Sequence, residues 1–277
     1  MENNQEDERE RIEIELLLEA VFRFYGYDFR NYSYSSIRRR IWHRIHSERL
    51  TTVSGLMECI LHNREYMDRL LADMTIHVTE MFRDPEVFKS FRENVVPFLR
   101  TLPLIRIWHA GCSTGEEVYS MAILLQEEGL YEKTRIYATD TSADVLKIAR
   151  EGVYPIGKMK QYTRNYLESG GQASFSQYYT AKYDSVVFQT ELKRNIVFAQ
   201  HNLVTDSSFN EFNVILCRNV MIYFNKQLQH HVHGLLYDSL SRFGVLALGT
   251  KESINFTRHA DAYEELDNPN RLYRKVR

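Results

Sequence analysis

The sequence contains little cysteine. Its three cysteines are Cys59, Cys112 and Cys217, and no two of them have the C-x-x-C spacing. An odd, scattered set of thiols argues against a disulfide framework and against a zinc site. We therefore expect a reducing, intracellular compartment and no bound metal.

Long apolar runs are also missing. A bilayer-spanning helix needs roughly 20 consecutive apolar residues, and no stretch approaches that length. The first residues, MENNQEDERERIEIE, are acidic and polar, whereas a secretory leader begins basic and continues apolar. The sequence predicts a soluble, cytoplasmic protein without membrane insertion.

The chain has no excess charge of either sign. Lys and Arg total 35 and Asp and Glu total 37, which gives a formal net charge of −2. Such a balance provides no overall attraction to nucleic acid or to an anionic membrane. Any basic binding surface must therefore be local.

One local basic segment is present, SIRRRIWHRI at residues 36–45. As a helix it spreads Arg38, Arg39 and Arg40 around more than half of the circumference and leaves the isoleucines to pack. A solvated helix face is the simplest interpretation, and a surface for an acidic partner is the alternative. Nucleic acid is disfavoured because no DNA-binding pattern accompanies the arginines.

Two different spacings of apolar residues divide the 277 residues into two parts. Helical spacing of apolar residues predicts an all-α domain over residues 1–90. From residue 104, short apolar runs alternate with helical segments, which predicts βαβ units and a mostly parallel sheet over 91–277. A polar, tyrosine-rich stretch at about 155–195 indicates an inserted subdomain.

The stretch RIWHAGCSTGEEVYSMAILL, residues 106–125, predicts a strand, a glycine turn and a helix. Gly111 and Gly115 allow a ligand to approach the backbone at a helix N-terminus. Glu116 and Glu117 follow at once and would repel a pyrophosphate, which disfavours a nicotinamide dinucleotide. The two glutamates favour a cationic ligand, unless they only complement the helix dipole.

A second acidic residue ends the next predicted strand, RIYATD. Asp140 lies 25 residues after Gly115, where a doubly wound fold presents an acid to ribose hydroxyls. It could instead cap the helix that begins near Ser142. Together with the glycine turn, it favours S-adenosylmethionine, which has a sulfonium, an ammonium and a ribose.

Five sequence blocks occur in the order of a known family. They are TEMFRD (79–84), AGCSTGEEVYS (110–120), ATDTSADVLKIAREGVYP (138–155), HNL (201–203) and CRNVMIYF (217–224). The chain strongly resembles the CheR family of chemotaxis-receptor methyltransferases over nearly its whole length. This resemblance implies an all-α N-terminal domain and a Rossmann-like methyltransferase domain with a small β-containing insertion.

The resemblance also implies an activity and a set of site residues. The expected enzyme is a protein-glutamate O-methyltransferase that esterifies glutamates of chemoreceptors or related signalling proteins and releases S-adenosylhomocysteine. The expected partner is a chemoreceptor's cytoplasmic helical bundle or a receptor-like signalling protein, the enzyme being a monomer. The implied cofactor contacts are His77, Thr79, Arg83, Gly111, Glu117, Asp140, Asn202, Leu203, Arg218 and Asn219, the catalytic residues Arg83 and Tyr223, and the receptor-binding residues Arg38, Arg39 and Arg40.

The residues themselves leave other interpretations open. Arg83 could pair with Asp84 or Glu86 on the surface, Asn202 could be a turn residue, and Tyr223 could be a core aromatic. His77 stands where the family often has asparagine, which suggests altered cofactor affinity or pH response. A relative that binds the cofactor without turnover, acting as a scaffold, is the main rival, although keeping the residues of the reacting end argues against it.

Lys251 and a histidine-rich segment are two further features of the sequence. Lys251 in GTKESI adds a charge where many relatives have GHSE. The histidines of QHHVHG (229–234) are expected on the surface rather than at a metal, because no acid or cysteine occupies a neighbouring ligand position.

Overall fold

The structure is a computed structural model that describes residues 2–74, 79–255 and 257–277. Its chain forms two compact units. The first comprises Met1–Ile76 with Tyr223–Gln229, and the second comprises His77–Ile222 with His230–Arg277. Across the described ranges, no helix combines the length and the apolar character that crossing a bilayer requires.

The first unit is helical. Helix α1 buries Ile14, Leu17 and Val21, whose spacing of three and four residues places them on one face. The helical stretch after residue 52 is divided in two, because Asn63 has extended backbone and its side chain accepts from the Glu65 N–H. The helices are α1 (Glu2–Tyr25), α2 (Tyr34–Ser47), α3 (Val53–His62) and α4 (Arg64–Met74).

Helix α2 separates its three consecutive arginines. Arg38 is exposed and forms an ion pair with Glu10, with 2.5 Å between Nε and Oε1, and Arg39 is exposed as well. Arg40 is only 3% exposed; its guanidinium lies 4.6 Å from the Tyr223 ring centroid and donates to the Met74 carbonyl. The expected solvated arrangement is therefore wrong for Arg40, which lies on the packed side of the helix.

The second unit contains a seven-stranded sheet, and its strand order confirms the predicted mostly parallel arrangement. The order is β6-β2-β1-β7-β8-β10-β9, in which β10 runs antiparallel to both of its neighbours. The strands are β1 (Ile105–Ala110), β2 (Thr134–Asp140), β6 (Ile196–Gln200), β7 (Phe212–Cys217), β8 (Leu240–Leu248), β9 (Tyr263–Asp267) and β10 (Leu272–Lys275).

Helices accompany this sheet, as the alternating texture predicts. Helix α5 begins before the expected domain boundary at residue 90, yet it belongs to the second unit because Val87, Phe88 and Phe91 join that unit's core. The helices are α5 (Pro85–Asn94), α6 (Val96–Arg100), α7 (Glu116–Glu127), α8 (Ala143–Glu151) and α10 (Lys226–Ser239), whose first residues belong to the first unit.

A small antiparallel sheet forms between α8 and β6. Its order is β3-β5-β4, from strands β3 (Val153–Pro155), β4 (Tyr179–Lys182) and β5 (Ser185–Phe188). Helix α9 (Met159–Glu168) lies between β3 and β4 in the chain. This part of the chain carries the β-strands that the resemblance implies for the insertion.

Candidate active site

The glycine turn connects β1 to α7, as the sequence predicts. Gly111 and Gly115 have φ of +80° and +92°, a region that favours glycine. A Cβ on Gly111 would lie 2.6 Å from Val220 Cγ2, and one on Gly115 would lie 2.9 Å from Ala149 Cβ. Both glycines therefore serve close packing of neighbouring segments against the turn.

Glu117, in the first turn of α7, is held by two basic groups. One carboxylate oxygen lies 2.9 Å from His109 Nδ1 and the other lies 2.8 Å from Arg218 Nη1. Burial alone would raise the pKa of this carboxyl, but Arg218 and His109 outweigh it and lower the pKa to about 2. Glu117 is therefore an anion whose position is fixed, with 18% of its side chain exposed.

Arg218 extends this contact to the TEMFRD loop. Its side chain is 1% exposed, and Nη2 donates to Asp84 Oδ2 at 2.7 Å and to the Arg83 carbonyl at 3.2 Å. Asp84 thus pairs with Arg218, a contact that the sequence did not reveal. The residues Glu117, Arg218 and Asp84 form a continuous chain of charge-assisted hydrogen bonds, which are stronger than neutral ones.

The backbone on both sides of Arg83 is strained. Phe82 and Asp84 have φ of +50° and +54°, a left-handed region that costs non-glycine residues about 1–2 kcal/mol each. The Phe82 N–H donates to Ser120 Oγ at 2.8 Å, so contacts from outside the loop maintain its shape. Arg83 itself is partly buried, as is Thr79.

Asp140 ends β2, next to β1 in the sheet. Its Oδ2 accepts from the Ser113 N–H of the glycine turn at 2.9 Å, and its Oδ1 accepts from the Ser142 N–H at 3.1 Å. The N-cap of α8 is Ser142, whose side chain accepts from Val145, so Asp140 does not cap that helix. Its carboxylate is fixed beside the turn and remains partly exposed.

Glu116 has a different environment from Glu117. It is 1% exposed, accepts from Thr114 Oγ1 at 2.6 Å and from Tyr162 OH at 3.4 Å, and lies 3.9 Å from Lys158 Nζ. Burial raises the pKa of its carboxyl. Because its side chain is enclosed, Glu116 presents almost no surface to a ligand.

The loop after β7 is held by Glu252, which sequence reasoning missed. Oε1 of this 5% exposed carboxylate accepts from the N–H groups of Val220 and Met221 at 2.9 and 2.7 Å, and Oε2 accepts from Asn219 and Gly249 at 2.9 and 2.7 Å. These bonds fix Asn219 at a φ of +61°. Lys251, which the sequence singled out, is exposed.

Asn202 and Leu203 lie in a turn after β6. The Asn202 side chain accepts from the Val204 N–H at 2.9 Å, and its backbone N–H donates to Asp206 Oδ2 at 2.8 Å. Leu203 is buried. The turn role considered for Asn202 is therefore present, and contact with an adenine stays a prediction for both residues.

Other predicted site residues belong to the first unit or lie outside the described residues. Tyr223 belongs to the first unit, where its carbonyl accepts from the Ser33 N–H at 2.8 Å and its ring faces Arg40. Arg38, Arg39 and Arg40 belong to the same unit. His77 lies outside the described residues, so its predicted cofactor contact stays a prediction.

The histidine segment differs in part from expectation. His230 and His231 are exposed, but His233 is buried, and burial lowers its pKa to about 4. Within the residues that the structure describes, no group of three or more His, Cys, Asp or Glu side chains is arranged to hold a metal ion.

The residues at the carboxyl ends of β2, β1 and β7 suit S-adenosylmethionine. Glu117 and Asp140 are fixed and partly exposed anions, which match an ammonium or sulfonium and ribose hydroxyls. A pyrophosphate would meet two carboxylates at the same place. The donor set therefore fits the cofactor that the sequence predicted.

Comparison with known proteins agrees with this fit. Residues 12–75 match the model of the all-alpha domain of CheR methyltransferases, and residues 77–270 match the model of their S-adenosylmethionine-binding domain. A Pseudomonas putida protein named Cher3 is 51% identical over 264 residues, which cover 95% of this chain and 97% of that protein. A chemotaxis protein methyltransferase of Listeria innocua is 30% identical over 85% of this chain and 87% of its own, and chemotaxis protein methyltransferase 1 of Vibrio cholerae is 29% identical over 86% and 87%. The chain therefore belongs to the CheR methyltransferase family and is an S-adenosylmethionine-dependent methyltransferase.

Proposed function

We propose that this enzyme esterifies glutamate side chains of chemoreceptors in the cytoplasm. The relatives named chemotaxis protein methyltransferases support the receptor as substrate. The structural observation that supports turnover most is the chain Asp84–Arg218–Glu117, which ties the loop of Arg83 to the glycine turn. A scaffold that only bound the cofactor would not need this connection.

The reaction needs alignment rather than proton transfer. A glutamate carboxylate is ionised near pH 7, so one of its oxygens attacks the methyl carbon directly without a general base. S-adenosylmethionine supplies a methyl on a sulfonium; the new bond is O–CH₃, and the S–CH₃ electron pair stays on sulfur. Arg83 and Tyr223 would orient the attacking carboxylate, and Glu117 and Asp140 would hold the donor.

We propose that the receptor-binding face on α2 depends on one arginine, Arg39, rather than on all three. Arg38 is neutralised by Glu10 and Arg40 is buried, whereas Arg39 forms no ion pair with any residue that the structure describes. Arg39 lines a groove together with Trp42, His43 and His46. We propose that this groove receives an acidic segment of the receptor bundle.

Methyl-labelled cofactor and receptor cytoplasmic fragments test the reaction. We expect label that alkali releases as methanol, and no label on fragments whose methylated glutamates are replaced by alanine. Arg83→Ala and Tyr223→Phe should each reduce turnover. Alkali-stable label would indicate N-methylation and contradict the proposal, and cofactor binding without transfer would support the scaffold.

Charge reversal tests the docking face separately. Arg39→Glu should raise the KM for receptor fragments by about tenfold, and added salt should reduce the difference because the attraction is electrostatic. Arg9→Glu, an exposed site on α1, makes the same change in net charge and is the matched control. Equal effects of the two variants would remove Arg39 from the interface.

A further inference from the structure

The inserted segment contributes a side chain to the loop that carries Arg83. Asn165, on helix α9, is 5% exposed. Its Nδ2 donates to the Met81 carbonyl at 3.0 Å and to Glu80 Oε2 at 3.3 Å. Both acceptors lie within three residues of Arg83 in the sequence. The insertion thus contacts the TEMFRD loop directly.

A second residue fixes which way the Asn165 amide points. Gln161, one turn earlier on α9, donates from Nε2 to Asn165 Oδ1 at 2.8 Å. The amide oxygen is therefore occupied within the helix, and the NH₂ group is directed at the loop. A flipped amide would place its oxygen against the Met81 carbonyl, where two acceptors repel each other.

The TEMFRD loop needs contacts from other segments because two of its residues have strained backbone dihedrals. Phe82 and Asp84 are both left-handed, and such residues persist where surrounding groups hold them. Ser120 binds the Phe82 N–H, and Arg218 binds the Arg83 carbonyl and the Asp84 side chain. Asn165 holds Met81, the residue immediately before the strained turn.

We propose that Asn165 is a positioning residue for methyl transfer, which acts by fixing the backbone from which Arg83 projects. The inference rests on the proposed role of Arg83 in that reaction. The insertion is on this view a component of the active site's support. Misplacement of a reacting group by about 1 Å is enough to reduce a rate by about 100-fold.

Asn165→Asp is the sharpest variant. It keeps the oxygen that accepts from Gln161 but replaces the NH₂ donor with a second oxygen, which faces the Met81 carbonyl and the Glu80 carboxylate. We expect kcat for receptor methylation to fall about 10- to 100-fold. S-adenosylhomocysteine should still bind, because Glu117 and Asp140 are untouched, and its Kd should rise by a smaller factor than the one by which kcat falls. Hydrogen exchange at residues 79–84 should accelerate.

Ser169→Ala is the matched control. Ser169 is fully buried just after the same helix, and its hydroxyl bonds only the Tyr166 carbonyl among the contacts described. We expect this variant to keep the wild-type kcat and the slow exchange of the loop. A general loosening of the insertion would instead lower kcat in both variants, and that result would overturn the proposal.

Gln161→Glu tests the same idea without altering Asn165. Gln161 is exposed, so the fold should tolerate the change. A carboxylate at 161 favours the flipped Asn165 amide, and we expect a smaller fall in kcat and faster exchange at 79–84. Unchanged kcat and unchanged exchange in Asn165→Asp and Gln161→Glu would refute the positioning role. Absence of alkali-labile product from the wild-type enzyme would refute the proposed reaction instead, and loop exchange would still decide whether Asn165 fixes the loop.

Discussion

On one side of the glycine turn Glu117 lies between His109 and Arg218, whereas on the other side Glu116 lies against Thr114 and Tyr162. The two residues are neighbours in sequence and in the same turn of α7. Basic groups lower the pKa of Glu117 to about 2, and burial raises that of Glu116. The turn therefore combines one fixed anion with one enclosed carboxyl.

This difference assigns separate tasks to the two glutamates. Glu117 connects through Arg218 to the loop of Arg83, so it belongs to the side of the turn where we propose that the cofactor binds. Glu116 faces Lys158 and Tyr162 of the inserted segment, so it belongs to the contact between the turn and the insertion. Two acidic residues that look alike in the sequence thus support different parts of the molecule.

Removing the arginine should have the largest effect. Arg218→Met leaves Glu117 without its nearest cation and separates the turn from Asp84. Loss of one partner from a buried ion pair costs about 3–5 kcal/mol, and we expect that loss in the free energy of unfolding. Urea denaturation followed by the fluorescence of buried Trp108, in a Trp42→Phe background, measures it in the second unit.

The control for this variant is Arg194→Met. Arg194 pairs with Glu132, and both side chains are more than half exposed. Exposed pairs contribute about 1 kcal/mol or less. If Arg218→Met cost no more than this control, the ion pairs of Arg218 with Glu117 and Asp84 would have no part in holding the turn.

Acid should affect the two glutamates in opposite directions. The pKa of Glu117 is lowered from its ordinary value of 4.5 to about 2, so its stabilisation is present above pH 4.5 and is lost as pH falls toward 2. That shift corresponds to about 3 kcal/mol. The pKa of Glu116 is raised, so its contribution is full below pH 4.5 and is lost as pH rises through the raised value.

Stability curves of Glu117→Gln and Glu116→Gln reveal these signs. As the pH rises from 3 to 5, the wild type should gain stability relative to Glu117→Gln. As the pH rises from 4.5 to neutrality, the wild type should lose stability relative to Glu116→Gln. Parallel curves for the two variants would mean that the environments of the glutamates are alike.

Cofactor affinity should also distinguish Glu117 from Glu116. Glu117→Gln removes a partly exposed charge at the proposed ligand site, and charge-assisted bonds contribute about 1.5–3 kcal/mol. We expect S-adenosylhomocysteine to bind about 10- to 100-fold more weakly by calorimetry. Glu116→Gln should change the Kd less than about threefold, because an enclosed side chain has no ligand contact to lose. Equal losses would place both residues in a purely structural role.

Local patterns predicted much of the fold. The alternation of apolar runs gave β1, α7 and β2 at the glycine turn, and the ordered blocks gave the family, the methyltransferase fold, the activity and the cofactor. These features depend on neighbouring residues or on short motifs. Strand β9 and the division at Asn63 were missed because their apolar patterns are short and irregular.

Contacts between distant residues were not predictable in the same way. Glu117 and Arg218 are 101 positions apart, and Glu252 contacts a loop about 30 positions earlier, so only tertiary packing selects these partners. Burial of one arginine was predictable from helix geometry. Three consecutive residues on a helix span 200°, so one of Arg38, Arg39 and Arg40 must lie near the face that carries the isoleucines. The cofactor and catalytic roles of all the predicted site residues, Glu117 and Asp140 included, stay predictions.

The smallest expected effect concerns the Glu116 side of the turn. Tyr162→Phe removes a hydroxyl that donates to Glu116 over 3.4 Å, and we expect about 0.5 kcal/mol less stability. Tyr154→Phe removes a 2.7 Å bond to the Thr114 carbonyl and should cost about 1–1.5 kcal/mol. Both rings are almost fully buried, so packing is matched and urea denaturation compares the hydroxyls alone. A larger loss for Tyr162→Phe would show that Glu116 depends on this bond and that the enclosed side of the turn is held as tightly as the Glu117 side.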